Sequence, residues 1–202
     1  MIQRIGVLCQ DRISFGFLEG LKRRLKCGAE LIEPTTGSLA KSTMMTTRQA
    51  RLAWAALHKN GIELLVRFTD ADEHRWQEVA RHELNVFPPA SSSLIVVGVA
   101  TRNVEEWLAA DLDYLSSFLN IDRVSLESDP NRSDAIKGAI ARSRSPDEPE
   151  SAVVIRLVEG APANVFRAWL QNDSLRRFYA DCRAAALRDT CETPNELEAD
   201  VI

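Results

Sequence analysis

The sequence predicts an α/β fold, a parallel sheet flanked by helices and followed by a run of C-terminal helices. Three observations carry this. Apolar runs at Ile5–Cys9, Ile62–Phe68 and Leu94–Ala100 have the length and the Leu, Ile and Val content of strands buried on both faces. Each run stops abruptly in a polar turn: Gln10-Asp11-Arg12, Thr69-Asp70-Ala71-Asp72 and Thr101-Arg102-Asn103. Each turn leads into a segment with helical spacing, which is the alternation of a doubly wound sheet.

The elements follow in order. Behind the first strand, Phe15, Phe17, Leu18, Leu21 and Leu25 recur on one helical face, and Gly28 is placed to end that helix. Glu30-Leu31-Ile32-Glu33 reads as a short second strand stopped by Pro34. Residues 35 to 47 are rich in Thr, Ser, Gly and Met without a period, so a loop is expected. It is longer than most α/β connections, which leaves a substrate-facing role open beside that of a plain connector. Gln49 to Lys59 is a helix stopped by Asn60-Gly61. After the Asp70 turn another helix runs through Trp76, Val79 and Leu84 to a break at Phe87-Pro88-Pro89. Leu94–Ala100 is the most apolar run and reads as a central strand. One helix is expected to carry Val104, Trp107 and Leu108 on to Tyr114 and Leu115.

From Asn120 strand patterns fade. A helix opens at Asp129-Pro130 and passes Ile136 and Ile140, and residues 143–151 form a Pro/Ser/acid linker. Residues 152–158 fit a strand or a buried helix. The spacing of Val153, Val154, Leu157, Val158 and Ala161 favours the helix. Two more helices, over 163–170 and 174–188, finish the pattern. The expected division is an α/β core over 1–125, a helical extension over 126–189, and an acidic, fraying tail over 190–202.

Bulk properties narrow the function classes. A chain of 202 residues with 45% hydrophobic and 27% charged residues can bury a core as one domain. A net charge of −4 argues against non-specific coating of nucleic acid or membrane, while allowing a local basic site. The four cysteines form no C-x-x-C pattern and have no histidine at zinc-ligand spacing, so reduced thiols in a cytoplasm are expected. The first apolar run is too short for a signal peptide, and no stretch reaches membrane-spanning length, so no membrane association is expected. P-loop and G-x-S-x-G motifs are missing from the sequence, which sets aside a self-contained ATPase and a serine hydrolase.

The chemistry-bearing residues gather at strand ends, where open parallel sheets bind ligands. They are Gln10 and Asp11, then Asp70 and Asp72, then Glu105, Glu106 and Asp111. Asp70 and Asp72 repel each other unless a proton or cation intervenes, which makes them metal candidates. Spacing alone gives the plainer role of a turn, with Asp72 capping the next helix and Glu73 favoured by its dipole. Mg²⁺ suits such a site, because it uses few carboxylates and keeps several waters or substrate phosphates. Arg12 and Arg102 lie next to it as candidate phosphate ligands. Lys22 opens a basic run with Arg23, Arg24 and Lys26, either a solvated face or a nucleic-acid backbone contact. Trp107 is expected as a core anchor. His58, His74 and His82 share no metal spacing.

In order, Ile5-Gly6-Val7-Leu8-Cys9-Gln10-Asp11, Thr69-Asp70-Ala71-Asp72, Val104-Glu105-Glu106-Trp107-Leu108-Ala109-Ala110-Asp111 and Ser174-Leu175-Arg176-Arg177-Phe178 resemble a small family of Toprim-like proteins. These are related to the Toprim domains of topoisomerases, primases and OLD-type nucleases, and are often linked to phage-defence or mobile-element loci. The resemblance covers residues 4 to about 185. It implies a Toprim-like Rossmannoid sheet and a Mg²⁺- or Mn²⁺-dependent nuclease, or nuclease-like subunit, acting on nucleic-acid phosphodiester bonds. It implies a multi-subunit defence complex with a partner ATPase, and leaves a homo-oligomer open. Asp70, Asp72 and Glu105 would hold metal, and Gln10, Asp11, Asp70 and Asp72 would form the catalytic set. Arg12, Lys22 and Arg102 would bind substrate.

Gln10 stands where the Toprim pattern has a glutamate, and an amide neither holds a proton nor binds metal as a carboxylate does. Three explanations compete: the site is naturally inactive, Asp11 serves instead, or a Glu→Gln substitution has been introduced. The alternative function is a non-catalytic Toprim-like scaffold, sensor or inhibitor that binds a partner protein.

Overall fold

The computed structural model describes residues 2–34, 44–88 and 94–186. Strands β1 (Arg4–Cys9), β2 (Glu30–Ile32), β3 (Leu64–Asp70) and β4 (Ile95–Ala100) form one parallel sheet in the order β2-β1-β3-β4. This is the expected α/β architecture. Ile5 pairs with Leu64 and Leu65 with Ile95, so the C-terminal ends of β1, β3 and β4 lie together on one edge. The short β2 closes one side, and β4 forms the other.

Alternation along each strand feeds two cores. Val7, Val66, Phe68, Val96 and Ala100 point to one face, and Leu8, Leu65, Ile95, Val97 and Val99 to the other. The second face is covered by α2 (Thr47–Lys59) and α3 (Trp76–Val86). The first carries α1 (Arg12–Arg24), α4 (Val104–Leu108), α5 (Leu112–Leu119), α6 (Arg123–Ser128), α7 (Arg132–Arg142), α8 (Glu150–Glu159), α9 (Ala163–Trp169) and α10 (Asp173–Ala186). Phe17, Phe68, Trp107 and Phe178 meet at its centre, with ring centroids 5.2 Å apart for Phe68–Phe178 and 5.4 Å for Phe17–Trp107. The C-terminal helices therefore share a core with the sheet.

Local chemistry explains the boundaries. Thr46 and Gln49 form a reciprocal capping box, which starts α2 at Thr47 rather than at Gln49. Residues 152–158 are helical, within α8. That helix lies tight against α1, because a Cβ at Gly16 would sit 2.6 Å from the Ser151 carbonyl oxygen and one at Gly20 2.7 Å from Val158 Cβ.

Four local expectations need correction. Lys26, with φ +51, takes the left-handed position after α1, and Gly28 does not. The single helix expected from Val104 to Leu115 is two, because Asp111 accepts from Tyr114 N and starts α5 afresh. Helix α6, capped by Asp122 on Ser125 N, was not expected, and α7 opens at Arg132, beyond Asp129-Pro130. Inside β3, Arg67 interrupts the apolar run with a fully buried ion pair to Glu83 at 2.8 Å. Glu83 in turn accepts from Met45 N, tying the entry of α2 to α3. The tail and most of the Thr-rich loop lie outside the described residues.

Candidate functional site

Neighbouring strands bring the three polar turns to one edge. Ala71 N donates to Ala100 O at 2.9 Å and Asp72 N to Arg102 O at 3.1 Å, stitching the turn after β3 to the end of β4. On the other side, Gln10 Oε1 accepts from Thr69 Oγ1 at 2.9 Å and from Asp70 N at 3.0 Å. The side chain of Gln10 thus braces the backbone that presents Asp70. Asp72 has a left-handed backbone, φ +50, and α3 starts only at Trp76, after Arg75. Asp72 is therefore not a helix cap. For a residue other than glycine this conformation costs about 1 kcal/mol, and such residues cluster at functional sites.

Two carboxylates at this edge are buried: Asp70 is 6% exposed and Glu105 1%. Asp70 Oδ1 has no hydrogen-bond partner. Glu105 Oε1 has none either, and its nearest cation, Lys137 Nζ, lies 3.8 Å away. Loss of hydration, with the nearby charges of Asp11, Glu105 and Asp72, pushes the Asp70 carboxyl up to about 8. Burial pushes Glu105 up to about 7 against the opposing pull of Lys137. Asp11 and Asp72 form an exposed acidic rim around this pair, and Asp11 also accepts from Ser14 N at 2.7 Å to cap α1. Among the described residues, no three His, Cys, Asp or Glu side chains close into a metal-holding set as they stand. The two orphaned buried oxygens are carboxylate oxygens, the ligand type that hard cations prefer.

The remaining candidates divide. Arg102 is exposed and sits at the rim through its carbonyl contact with Asp72. Arg12 is also next to the site, although its guanidinium is held by Glu33 at 2.8 Å. Lys22 is not brought there. It lies some 15 Å further along α1 at 1.5 Å per residue, pairing with Glu19 and donating to Ala29 O. Two more residues of that basic run are likewise engaged: Arg23 pairs with Glu19, and Arg24 donates to Ala161 O and lies over the Phe166 ring. Glu106 turns away to Arg132 and Ser133, leaving Glu105 as the acid from α4. Asp111 serves as the cap of α5. His74 is exposed in the turn after Asp72.

Sequence reasoning missed Thr69, whose hydroxyl fixes Gln10, and Lys137, which comes from α7. Lys137 carried no local signal, since only the fold brings it to Glu105. Trp107 is buried and donates from Nε1 to Ser174 Oγ at 2.9 Å, and Ser174 Oγ lies 3.0 Å from Thr101 Oγ1 at the end of β4. The N-terminus of α10 thereby holds α4, and with it Glu105, against the sheet. Among the described residues, no helix is long and apolar enough to cross a membrane. Comparison of the chain with protein-family models, with curated proteins and with solved structures finds no match.

Proposed function

We propose that this chain is a Toprim-like, divalent-cation-dependent nuclease or nuclease-like subunit acting on nucleic-acid phosphodiester bonds. One observation carries the reading. Two buried carboxylates with unpartnered oxygens, Asp70 and Glu105, converge with Asp11 and Asp72 at the C-terminal edge of a parallel sheet. Burying that much like charge is unfavourable unless protons or a cation offset it. Asp70, Asp72 and Glu105 would hold Mg²⁺ or Mn²⁺, with Asp11 at the rim. The cation would supply Lewis acidity and charge neutralisation for phosphoryl chemistry. Arg102 and Arg12 would receive phosphate oxygens, Arg12 by exchanging its Glu33 partner. The acidic chain and its lack of an ATPase motif fit work inside a larger complex, with an ATPase partner in a defence system as the resemblance suggests.

Gln10 decides how active such a site is. Its Oε1 accepts two hydrogen bonds that a glutamate oxygen would also accept, so Gln10→Glu keeps both bonds and adds a carboxylate beside Asp70. Gln10→Glu is expected to create or raise Mn²⁺- or Mg²⁺-dependent cleavage of DNA or RNA, and Asp70→Ala in that background to abolish it. If neither protein cleaves any nucleic acid, with or without its partner, the nuclease reading is wrong.

A second reading, a non-catalytic scaffold, sensor or inhibitor, is favoured by that same amide at position 10. Thermal shift separates the two. Saturation at ~100 times Kd stabilises by about 2.7 kcal/mol, and no Mg²⁺ or Mn²⁺ shift in either protein favours the scaffold.

A further inference from the structure

Among the described residues the outer edge of β4 is unpaired, and it is recessed: Ile95 is 8% exposed, Val97 9% and Val99 2%. Ala71 N donates to Ala100 O, so even-numbered residues of β4 turn their backbone groups inward to β3. By alternation, Ile95, Val97 and Val99 turn their N–H and C=O groups outward, and no described residue pairs with them. They lie at the floor of a groove of about 970 Å³ between α3 and α10. Its walls are apolar or small at Ala80, Leu84, Ala180 and Ala184, and charged at Arg81 of α3 and at Arg177 and Asp181 of α10. Leu84 is 46% exposed and Leu94, at the start of the strand, 40%. A six-residue apolar edge without proline, bulge or inward charge is a template for another strand.

We propose that this edge pairs with the same edge of a second copy, joining two four-stranded sheets into one of eight strands across a two-fold axis. The backbone pattern is self-complementary. With the axis at Val97, that residue meets its own copy, and Ile95 meets Val99 of the second copy, which satisfies all six outward groups. The flanking helix is self-complementary as well. Phe178 of α10 packs on Gly98, one residue from the axis. The outward stripe of α10 is Asp173, Arg176, Arg177, Ala180, Asp181 and Ala184. Reversed about this level, it sets Arg177 of one copy against Asp181 of the other, while Ala180 and Ala184 allow close approach. At present Arg177 and Asp181 pair within the helix at 2.9 Å, exposed and free to exchange partners. A two-fold axis normal to the sheet points the two carboxylate edges in opposite directions, so each site stays complete within its own copy and the pairing stands apart from the metal reading.

Sedimentation equilibrium of the full chain at micromolar concentrations tests this. The wild type is expected to be a dimer. Val97→Pro removes an outward N–H and leaves the ladder to β3 intact, and it should yield a folded monomer. Asp181→Arg should also yield a monomer by opposing two arginines, and the exchange Arg177→Asp with Asp181→Arg should restore the dimer. A monomeric wild type overturns the proposal and leaves the edge to a strand from another protein. A dimer that survives both Val97→Pro and Asp181→Arg, or one that the exchange fails to restore, overturns it too.

Discussion

Substituting Asp70 by asparagine tests whether the buried carboxylate stores strain that a cation would relieve. The side chain is 6% exposed, and its carboxyl is pushed from 3.8 up to about 8. A group whose folded value is raised binds its proton more tightly in the folded state. Its stabilisation is therefore complete below about pH 4 and is lost as pH rises towards 8. Each pH unit inside that window removes at most about 1.4 kcal/mol, so the step from pH 5 to pH 7 removes up to roughly 2.7 kcal/mol. For a domain of this size that is a fall in Tm of about 5–10 °C. In EDTA, the wild type should lose Tm across this interval, while Asp70→Asn loses less and is the more stable protein at pH 7. Added Mg²⁺ should reverse the order, stabilising the wild type more at pH 8 than at pH 5.5, because the ligands must be ionised to bind. Equal Tm slopes for the two proteins in EDTA would show that Asp70 ionises without penalty and would remove the physical basis for the site.

Four further variants probe the frame that holds it. Glu83→Gln leaves Arg67 charged in a fully buried position and should cost about 3–5 kcal/mol in urea unfolding, whereas Arg67→Met with Glu83→Leu should cost far less. Gly16→Ala drives a methyl into the Ser151 carbonyl of α8 and should cost about 1–3 kcal/mol, read as a lower Tm with unchanged Mg²⁺ stabilisation. Ser174→Ala strips the partner from the Trp107 indole N–H and should cost about 1–3 kcal/mol, with a weakened Mg²⁺ shift because α4 also carries Glu105.

The sequence made the sheet legible because its strands are buried on both faces and so stand out as unbroken apolar runs. The site was legible in outline for a related reason: a buried strand that ends in Asp70 must release its polar residues at a sheet edge. What the sequence did not disclose depends on contacts distant along the chain. Nothing near Glu83 marks it as the partner of Arg67, sixteen residues earlier in another element. Glu105 and Glu106 are adjacent and chemically alike. Only the arrival of Arg132 and Ser133 at Glu106 leaves Glu105 as the buried, inward acid. The left-handed turn at Asp72 was hidden because Asp is at once a common cap and one of the few residues that tolerate positive φ.

The place of the C-terminal helices follows from the same contacts. Helix α4 has five residues, too few to persist in water without tertiary support, so the position of Glu105 is borrowed from its surroundings. Those surroundings are Trp107 packed on Phe17 and Phe68, its N–H tied to Ser174 of α10, and Lys137 of α7 facing the carboxylate. A division near residue 125 would separate Glu105 from each of its C-terminal supports. It would also strip Val153, Leu157, Phe166 and Phe178 from the core that they share with Val7 and Phe17. Residues 2–125 would then cover that face with only α1, α4 and α5, while the full helical set is what lets a parallel sheet bury both faces and still leave its carboxylate edge open.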